Sequence, residues 1–173
     1  MAAPETLVLK THRDRKNWWQ SVWIRRALLG LPTILIVVGL LNLFGQRPTT
    51  TTASGPAARL AVYAPTHARS GLTYAARFRV DAVRDLNKAT LVLDPGWANG
   101  YTVNGLSPQP LTQGSADGKL NFGFGHVPAG QHLTFWLSLQ INPTNVGSHR
   151  QNVWLYDGTT LLAVAHRTVT IFP

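Results

Sequence analysis

Two different patterns of apolar and polar residues divide the chain. Residues 27–44 form an apolar run without a charged residue, whereas residues 59–173 alternate between apolar and polar positions. An apolar run of about 20 residues lets a helix cross the roughly 30 Å hydrocarbon core of a membrane. Alternation with a period of two is typical of strands that bury one face. The pattern therefore predicts one N-terminal transmembrane helix, assigned to residues 27–45, followed by an all-β domain.

The residues that precede the apolar run favour a membrane span. Residues 1–26 carry six basic side chains against two acidic ones, and three tryptophans lie close to the run. Tryptophan is enriched at membrane boundaries, and basic residues stay on the cytoplasmic side. We therefore predict a cytoplasmic head that contacts membrane lipids, and export of the C-terminal domain. The predicted membrane-interface residues are Trp18, Trp19, Trp23, Arg25 and Arg26.

Two alternatives to a retained anchor have to be weighed. A core helix of a soluble protein is also apolar, but it has no need for the basic and aromatic flank. A cleaved secretory signal shares the charged start, but its apolar part usually spans about 7–15 residues. The run here is longer, and Pro56 follows the nearest small-residue exit, residues 53–55. We therefore expect a single-pass protein of the plasma (cell) membrane.

The segment after the predicted span shows neither of these two patterns. Residues 48–58 read PTTTTASGPAA, which is polar and of low complexity. Such composition is typical of a flexible connection. We therefore predict a linker over residues 46–58 and a folded domain over residues 59–173.

Alternation in the C-terminal part predicts seven or eight strands. The strongest case is the stretch LTFWLSLQI at residues 133–141, in which every second residue is large and apolar. Turn residues such as Asp94-Pro95-Gly96 and Asp157-Gly158 separate these stretches. Short strands with frequent turns predict an antiparallel sandwich of immunoglobulin-like type. A β-barrel is the alternative.

Charge and composition exclude several classes of function. The formal net charge is +9, but the ten basic residues after the span are scattered and predicted to be exported, so we predict no nucleic-acid partner. The chain has no cysteine, and its six histidines form no His-Glu-x-x-His motif, so we predict no metal site and no cofactor. No Gly-x-Ser-x-Gly motif is present, and no small-molecule substrate is evident. The sequence therefore predicts no enzyme, and a catalytic protein is the least favoured alternative.

Part of the chain resembles a known class of domains. Residues 127–158 contain Pro128-Ala129-Gly130, the alternating strand, Asn142-Pro143 and Asp157-Gly158, and they resemble the later half of bacterial surface immunoglobulin-like domains. The whole chain is similar to single-span membrane proteins of high-GC bacteria that carry an exported domain of this kind. The resemblance implies a location and a fold, and it implies no activity.

The candidate binding residues are those predicted to point away from the core. If residues 133 to 141 bury their apolar set, Trp136 faces outward, and Trp154 does the same between Val153 and Leu155. Exposed aromatic residues are enriched at interfaces. The alternative is that a loop, such as the one that carries Trp97, covers them. Two basic residues also project from a predicted strand, Arg77 and Arg79.

Taken together, these features predict a function in binding. We expect an interaction or accessory module whose exported sandwich docks another membrane or envelope protein. The alternative within binding proteins is recognition of an envelope glycan or an anionic polymer by the basic side chains and the tryptophans.

Overall fold

The apolar segment forms one helix that begins earlier than the pattern predicted. The computed structural model describes residues 18–41, 46 and 48–173, with side chains from residue 22 onward in the helix. Helix α1 is Trp18–Leu40. Its part Val22–Leu40 is long and apolar enough to cross a membrane, a test that a signal sequence also passes. Residues 42–45 of the predicted span lie outside the described residues.

The chain divides into two units, Met1–Leu43 and Phe44–Pro173. The second unit is built from β-strands and one short 3₁₀ turn, η1, at Pro95–Trp97. The strands in its described residues are β1 (Pro48–Ser54), β2 (Ala58–Pro65), β3 (His67–Arg69), β4 (Thr73–Ala82), β5 (Leu86–Leu93), β6 (Tyr101–Ser107), β7 (Thr112–Ala116), β8 (Lys119–Val127), β9 (His132–Ile141), β10 (Gly147–Arg150), β11 (Val153–Asp157), β12 (Thr160–Ala165) and β13 (Thr168–Phe172).

These strands form an antiparallel β-sandwich, as predicted. The first sheet has the order β1-β2-β4-β9-β6, and the second sheet has the order β12-β11-β5-β8-β7. A small third sheet, β10-β13-β3, contains one parallel pair, β13 with β3. Apolar side chains of all three sheets meet in one core.

The alternation of apolar residues correctly predicts which face of β4 and of β9 is buried. In β4 the side chains of Tyr74, Ala76, Phe78 and Val80 are buried, while those between them are exposed or half-buried. In β9 the buried set runs from Phe135 to Ile141 in steps of two. Successive side chains of a strand point to opposite faces, so a period of two survives folding without change.

The prediction of a linker is the one that the structure contradicts most clearly. Residues 48–54 form β1, which pairs with β2 over its whole length, from Pro48 opposite Pro65 to Ser54 opposite Arg59. Threonine is β-branched and favours strands once a neighbouring strand supplies hydrogen bonds. A Cβ atom at Gly55 would overlap the carbonyl of Leu162 in β12, so the turn after β1 passes close to the second sheet. The polar composition of residues 48–54 gave no indication of this strand, which pairs with β2 along one edge.

The structure also has more strands than the pattern predicted. Residues 160–172, which follow the Asp157-Gly158 turn without a further Gly or Pro, are divided into β12 in the second sheet and β13 in the small sheet. Strand β7 was missed because all five of its residues are exposed and carry no alternation. It forms a hairpin with β8 through Asp117 and Gly118, whose φ angles of 52° and 73° fit a tight two-residue turn.

Candidate functional site

A row of side chains on the outer face of the first sheet brings an arginine between two aromatic rings. Arg77 of β4 lies opposite Tyr63 of β2 and opposite Trp136 of β9. Its guanidinium carbon is 5.0 Å from the centre of the Tyr63 ring and 5.4 Å from the centre of the Trp136 ring. Trp136 is 41% exposed, as expected for an outward position. We call Tyr63, Arg77 and Trp136 the aromatic row.

The next residues on this face form an ion pair. The Nε of Arg79 lies 2.8 Å from Oδ1 of Asp81, and the two side chains are 49% and 38% exposed. Exposed pairs of this type contribute only about 0–1 kcal/mol. Of the two candidate arginines, Arg79 is therefore paired with Asp81, whereas Arg77 contacts the rings of Tyr63 and Trp136.

The two outward tryptophans do not share a surface. Trp136 lies in the first sheet, and Trp154 lies in β11 of the second sheet. Both point away from the core between the sheets, so they occupy opposite faces of the sandwich. The ammonium of Lys119 lies 4.7 Å from the Trp154 ring centre and partly covers it. Trp136 and Trp154 therefore do not form one patch, because their strands belong to different sheets, which alternation along a single strand does not reveal.

The alternative, in which the loop that carries Trp97 covers the outward tryptophans, does not hold for the Trp97 ring. Trp97 of η1 is fully buried and packs inside the sandwich, with its ring centre 5.2 Å from that of Phe78. It therefore cannot shield an outward tryptophan. The turn residues Asp94-Pro95-Gly96 carry this ring into the core.

The described interface residues of α1 are exposed. Trp23 is 61% exposed, and the guanidinium carbon of Arg26 lies 5.8 Å from the centre of its ring. Arg25 is also exposed. The side chains of Trp18 and Trp19 lie outside the described residues, although their backbone belongs to the helix.

The acidic residues of the sandwich serve local structure. Asp85 accepts the amide of Ala129, and Asp157 accepts the amide of Lys88, each at 2.7 Å. Asp94 accepts a hydrogen bond from the side chain of Asn152 at 3.0 Å. Within residues 18–41, 46 and 48–173, no group of three histidine, cysteine, aspartate or glutamate residues is placed to hold a metal ion.

A buried polar cluster at one end of the sandwich was not predicted. We call it the end cluster, and its members are Tyr74, Trp97, Tyr101, Gln151 and Arg167. The amide nitrogen of Gln151 donates to the two tyrosine hydroxyls at 3.4 and 3.2 Å, and to the carbonyl of Gly96 at 3.1 Å. Gln151 is fully buried. One glutamine therefore links β4, η1 and β6.

Arg167 is the charged member of the end cluster. It is 6% exposed, and its Nη2 donates to the carbonyls of Ala64 and Pro65 at 3.1 and 2.8 Å. Its guanidinium carbon lies 5.2 Å from the centre of the Trp97 ring. Burial lowers the pKa of this guanidinium. Its contacts connect the end of β2 to the residues between β12 and β13.

The two tyrosines of the end cluster are held in the neutral form. Burial raises the pKa of Tyr74, and it raises the pKa of Tyr101 with a further contribution from the neighbouring Tyr74. Their ring centres are 6.3 Å apart in an edge-to-face arrangement. Both hydroxyls accept a hydrogen bond from the Gln151 side-chain amide.

A sequence signal for part of this cluster exists. Gln151 continues the alternation of Val153 and Leu155 toward the N-terminus, and Arg167 does the same for Val169 and Ile171. In both cases the polar residue occupies a position on the buried face. Polarity made these positions look exposed, whereas the period of two places them inside.

Comparisons with known proteins find likenesses among solved structures. No protein-family model and no curated protein matches the chain. A solution structure of CaCohA2 from Clostridium acetobutylicum is 15% identical with a TM-score of 0.43, over 72% of this chain and 89% of that chain. A non-cellulosomal cohesin from the hyperthermophilic archaeon Archaeoglobus fulgidus is 15% identical with a TM-score of 0.40, over 72% of this chain and 92% of that chain. These likenesses assign no ligand or partner.

Proposed function

We propose that this chain is a single-pass, membrane-anchored interaction module. Helix α1 anchors it in the plasma membrane with the N-terminus in the cytoplasm, and the sandwich is displayed outside. The aromatic row docks another protein of the membrane or envelope. We assign no catalytic step to the chain.

The anchor is supported by the composition of α1 and of the residues before it. Apolar side chains such as Leu28, Leu29 and Leu31 are 65–74% exposed, which is unfavourable in water and favourable in lipid. The basic residues before the span favour a cytoplasmic N-terminus. The chain should therefore resist extraction by alkaline carbonate and keep its full length in cells.

Protease treatment of intact spheroplasts tests this arrangement. We expect the sandwich to be digested from outside while an N-terminal fragment stays protected. Full protection of the chain would contradict export. Recovery of a shortened form in the medium would instead show that residues 27–45 belong to a cleaved signal.

The aromatic row is the observation that supports docking. Tryptophan, tyrosine and arginine are the residue types enriched among interface residues that contribute most to binding. Here the three occur in one cross-strand row, and Trp136 remains 41% exposed. The rings already hold Arg77 in place, so a partner would meet an ordered surface and lose less side-chain entropy on binding.

Site-specific photo-crosslinking in living cells tests this docking surface. A photoreactive residue at Thr134, beside Trp136 on β9, should give one discrete adduct of higher mass. The same residue at Asn121, which faces outward from the second sheet in the row of Trp154, is the matched control. Loss of the Thr134 adduct in the Trp136→Ala and Arg77→Ala variants is expected. Equal adducts at both positions, or none at Thr134, would refute docking by this face.

A second candidate function is binding of an anionic envelope polymer. Three arginines, Arg59, Arg77 and Arg79, lie on the outer face of the first sheet, where Asp81 lies opposite Arg59 and pairs with Arg79. Retention on purified envelope that decreases with salt and with Arg59→Ala would favour this function. Salt-independent retention with an intact photo-adduct would favour the protein partner.

A further inference from the structure

A solvent-open depression lies beside the end cluster. It has a volume of about 510 Å³, and its lining residues are Arg150, Asn152, His166, Arg167 and Thr168. This volume is in the range of about 300–1,000 Å³ that small-molecule sites occupy. Two arginines and a histidine line it, and no carboxylate does. It is a different surface from the aromatic row.

Arg167 is the most buried residue of this lining. Two of its nitrogens, Nε and Nη1, are buried and have no hydrogen-bond partner. Across the described residues, the ion pair between Arg79 and Asp81 is the only one found, so no carboxylate lies within 4.0 Å of the Arg167 guanidinium. A buried charge without a counter-charge is costly in a medium of low dielectric constant. An anion in the adjoining depression would reduce that cost.

The other lining residues provide the polar contacts at the surface. Arg150 at the end of β10 and His166 before Arg167 are both exposed. Thr168 lies opposite Arg150 in the pair of β10 with β13. The side chain of Asn152 is already used, because it donates to Asp94 at 3.0 Å and accepts the amide of Arg167 at 3.2 Å. Asp94 therefore brings one negative charge near the depression, against the positive charges of two arginines.

We propose that this depression binds a phosphate or sulfate group. Arg150 would make charge-assisted hydrogen bonds to the oxyanion, for which the planar guanidinium is well suited, and His166 would donate a further one. Arg167 would attract the anion through its charge from beneath, because its free nitrogens are not at the surface. The volume leaves room for a molecule that carries the group as an ester.

Calorimetric titration of the full chain in a mild non-ionic detergent tests the site. The probes are inorganic phosphate, sulfate and glycerol phosphate, with ionic strength held constant by sodium chloride. We expect saturable binding of at least one of these three oxyanions. A glycerol phosphate affinity at least tenfold higher would identify a phosphate ester as the ligand, and equal affinities would identify the free ion.

Variants of exposed residues keep the test independent of folding. Arg150→Ala should weaken binding about tenfold or more, which corresponds to one lost charge-assisted contact. His166→Gln should weaken it less. Arg84→Ala removes the same charge from an exposed position between β4 and β5 and should leave the affinity unchanged. Absence of saturable binding, or an equal loss in Arg84→Ala, would overturn the proposal without affecting the docking test at Thr134.

Discussion

Two arginines make the same contact in opposite surroundings. Arg77 lies on the outer face of the first sheet, 5.4 Å from the ring centre of Trp136, and is exposed. Arg167 lies in the end cluster, 5.2 Å from the ring centre of Trp97, and is 6% exposed. In water such a contact is worth about 0.5–1 kcal/mol, and desolvation increases it to about 2 kcal/mol or more.

The difference shows what burial adds to an arginine. Arg77 needs no further partner, because water solvates its charge, and its row stays open to a binding protein. Burial removes Arg167 from bulk water. Its hydrogen bonds to two carbonyls of β2 replace part of that solvation. The exposed arginine is therefore expected to matter for binding, and the buried one for stability.

Truncating the two arginines should separate these roles most strongly. Arg167→Ala leaves the carbonyls of Ala64 and Pro65 without their donor and opens a cavity beside Trp97. We expect a loss of about 3 kcal/mol in the free energy of unfolding, measured by urea titration of the full chain in detergent. A loss below about 1 kcal/mol would show that the buried contacts are no stronger than exposed ones.

Alkaline pH should destabilise the end cluster next. Because the folded pKa values of Tyr74 and Tyr101 are raised, the unfolded chain releases these protons first. The stabilisation is complete below the unfolded pKa of about 10, and it falls above that by up to about 1.4 kcal/mol per pH unit for each tyrosine. The lowered pKa of Arg167 acts with the opposite sign.

Unfolding by urea at pH 9, 10 and 11 measures this dependence. A Tyr101→Phe variant should show a shallower decrease than the parent chain, since it retains only one of the two buried hydroxyls. A decrease of the same steepness in the variant would place the titrating group elsewhere.

Gln151→Ala should have the third largest effect. It removes the donor shared by Tyr74, Tyr101 and Gly96. Leaving buried polar groups unpaired costs about 1–3 kcal/mol, so we expect a loss of about 2 kcal/mol in urea titration. Gln140→Ala, the same change at an exposed position of β9, is the control and should change the free energy of unfolding by less than about 0.5 kcal/mol.

Arg77→Ala should have the smallest effect on stability. Its exposed contacts with Tyr63 and Trp136 predict a loss of no more than about 1 kcal/mol. The same variant should abolish the crosslink at Thr134. A large loss of stability together with retained crosslinking would show that Arg77 contributes to stability rather than to binding.

Much of the fold could be predicted from the local sequence pattern, whereas the candidate functional site could be predicted only in part. Alternation in β4 and β9 identified the buried sets and the outward position of Trp136 correctly. It failed for β1, because threonines carry no apolar alternation and their strand exists only through pairing with β2. It also failed for Arg167 and Gln151, whose polarity concealed inward positions.

The sequence by itself determined the apolar helix, the all-β character of the second unit and the alternation of buried and outward residues along β4 and β9. These are local properties, since they depend on neighbouring positions along one strand or helix. Only the tertiary structure decided that Trp136 and Trp154 lie on opposite faces, that Arg77 lies between two rings and that Arg167 meets Trp97. Those contacts depend on the order of strands that are far apart in the chain, and no local periodicity records that order.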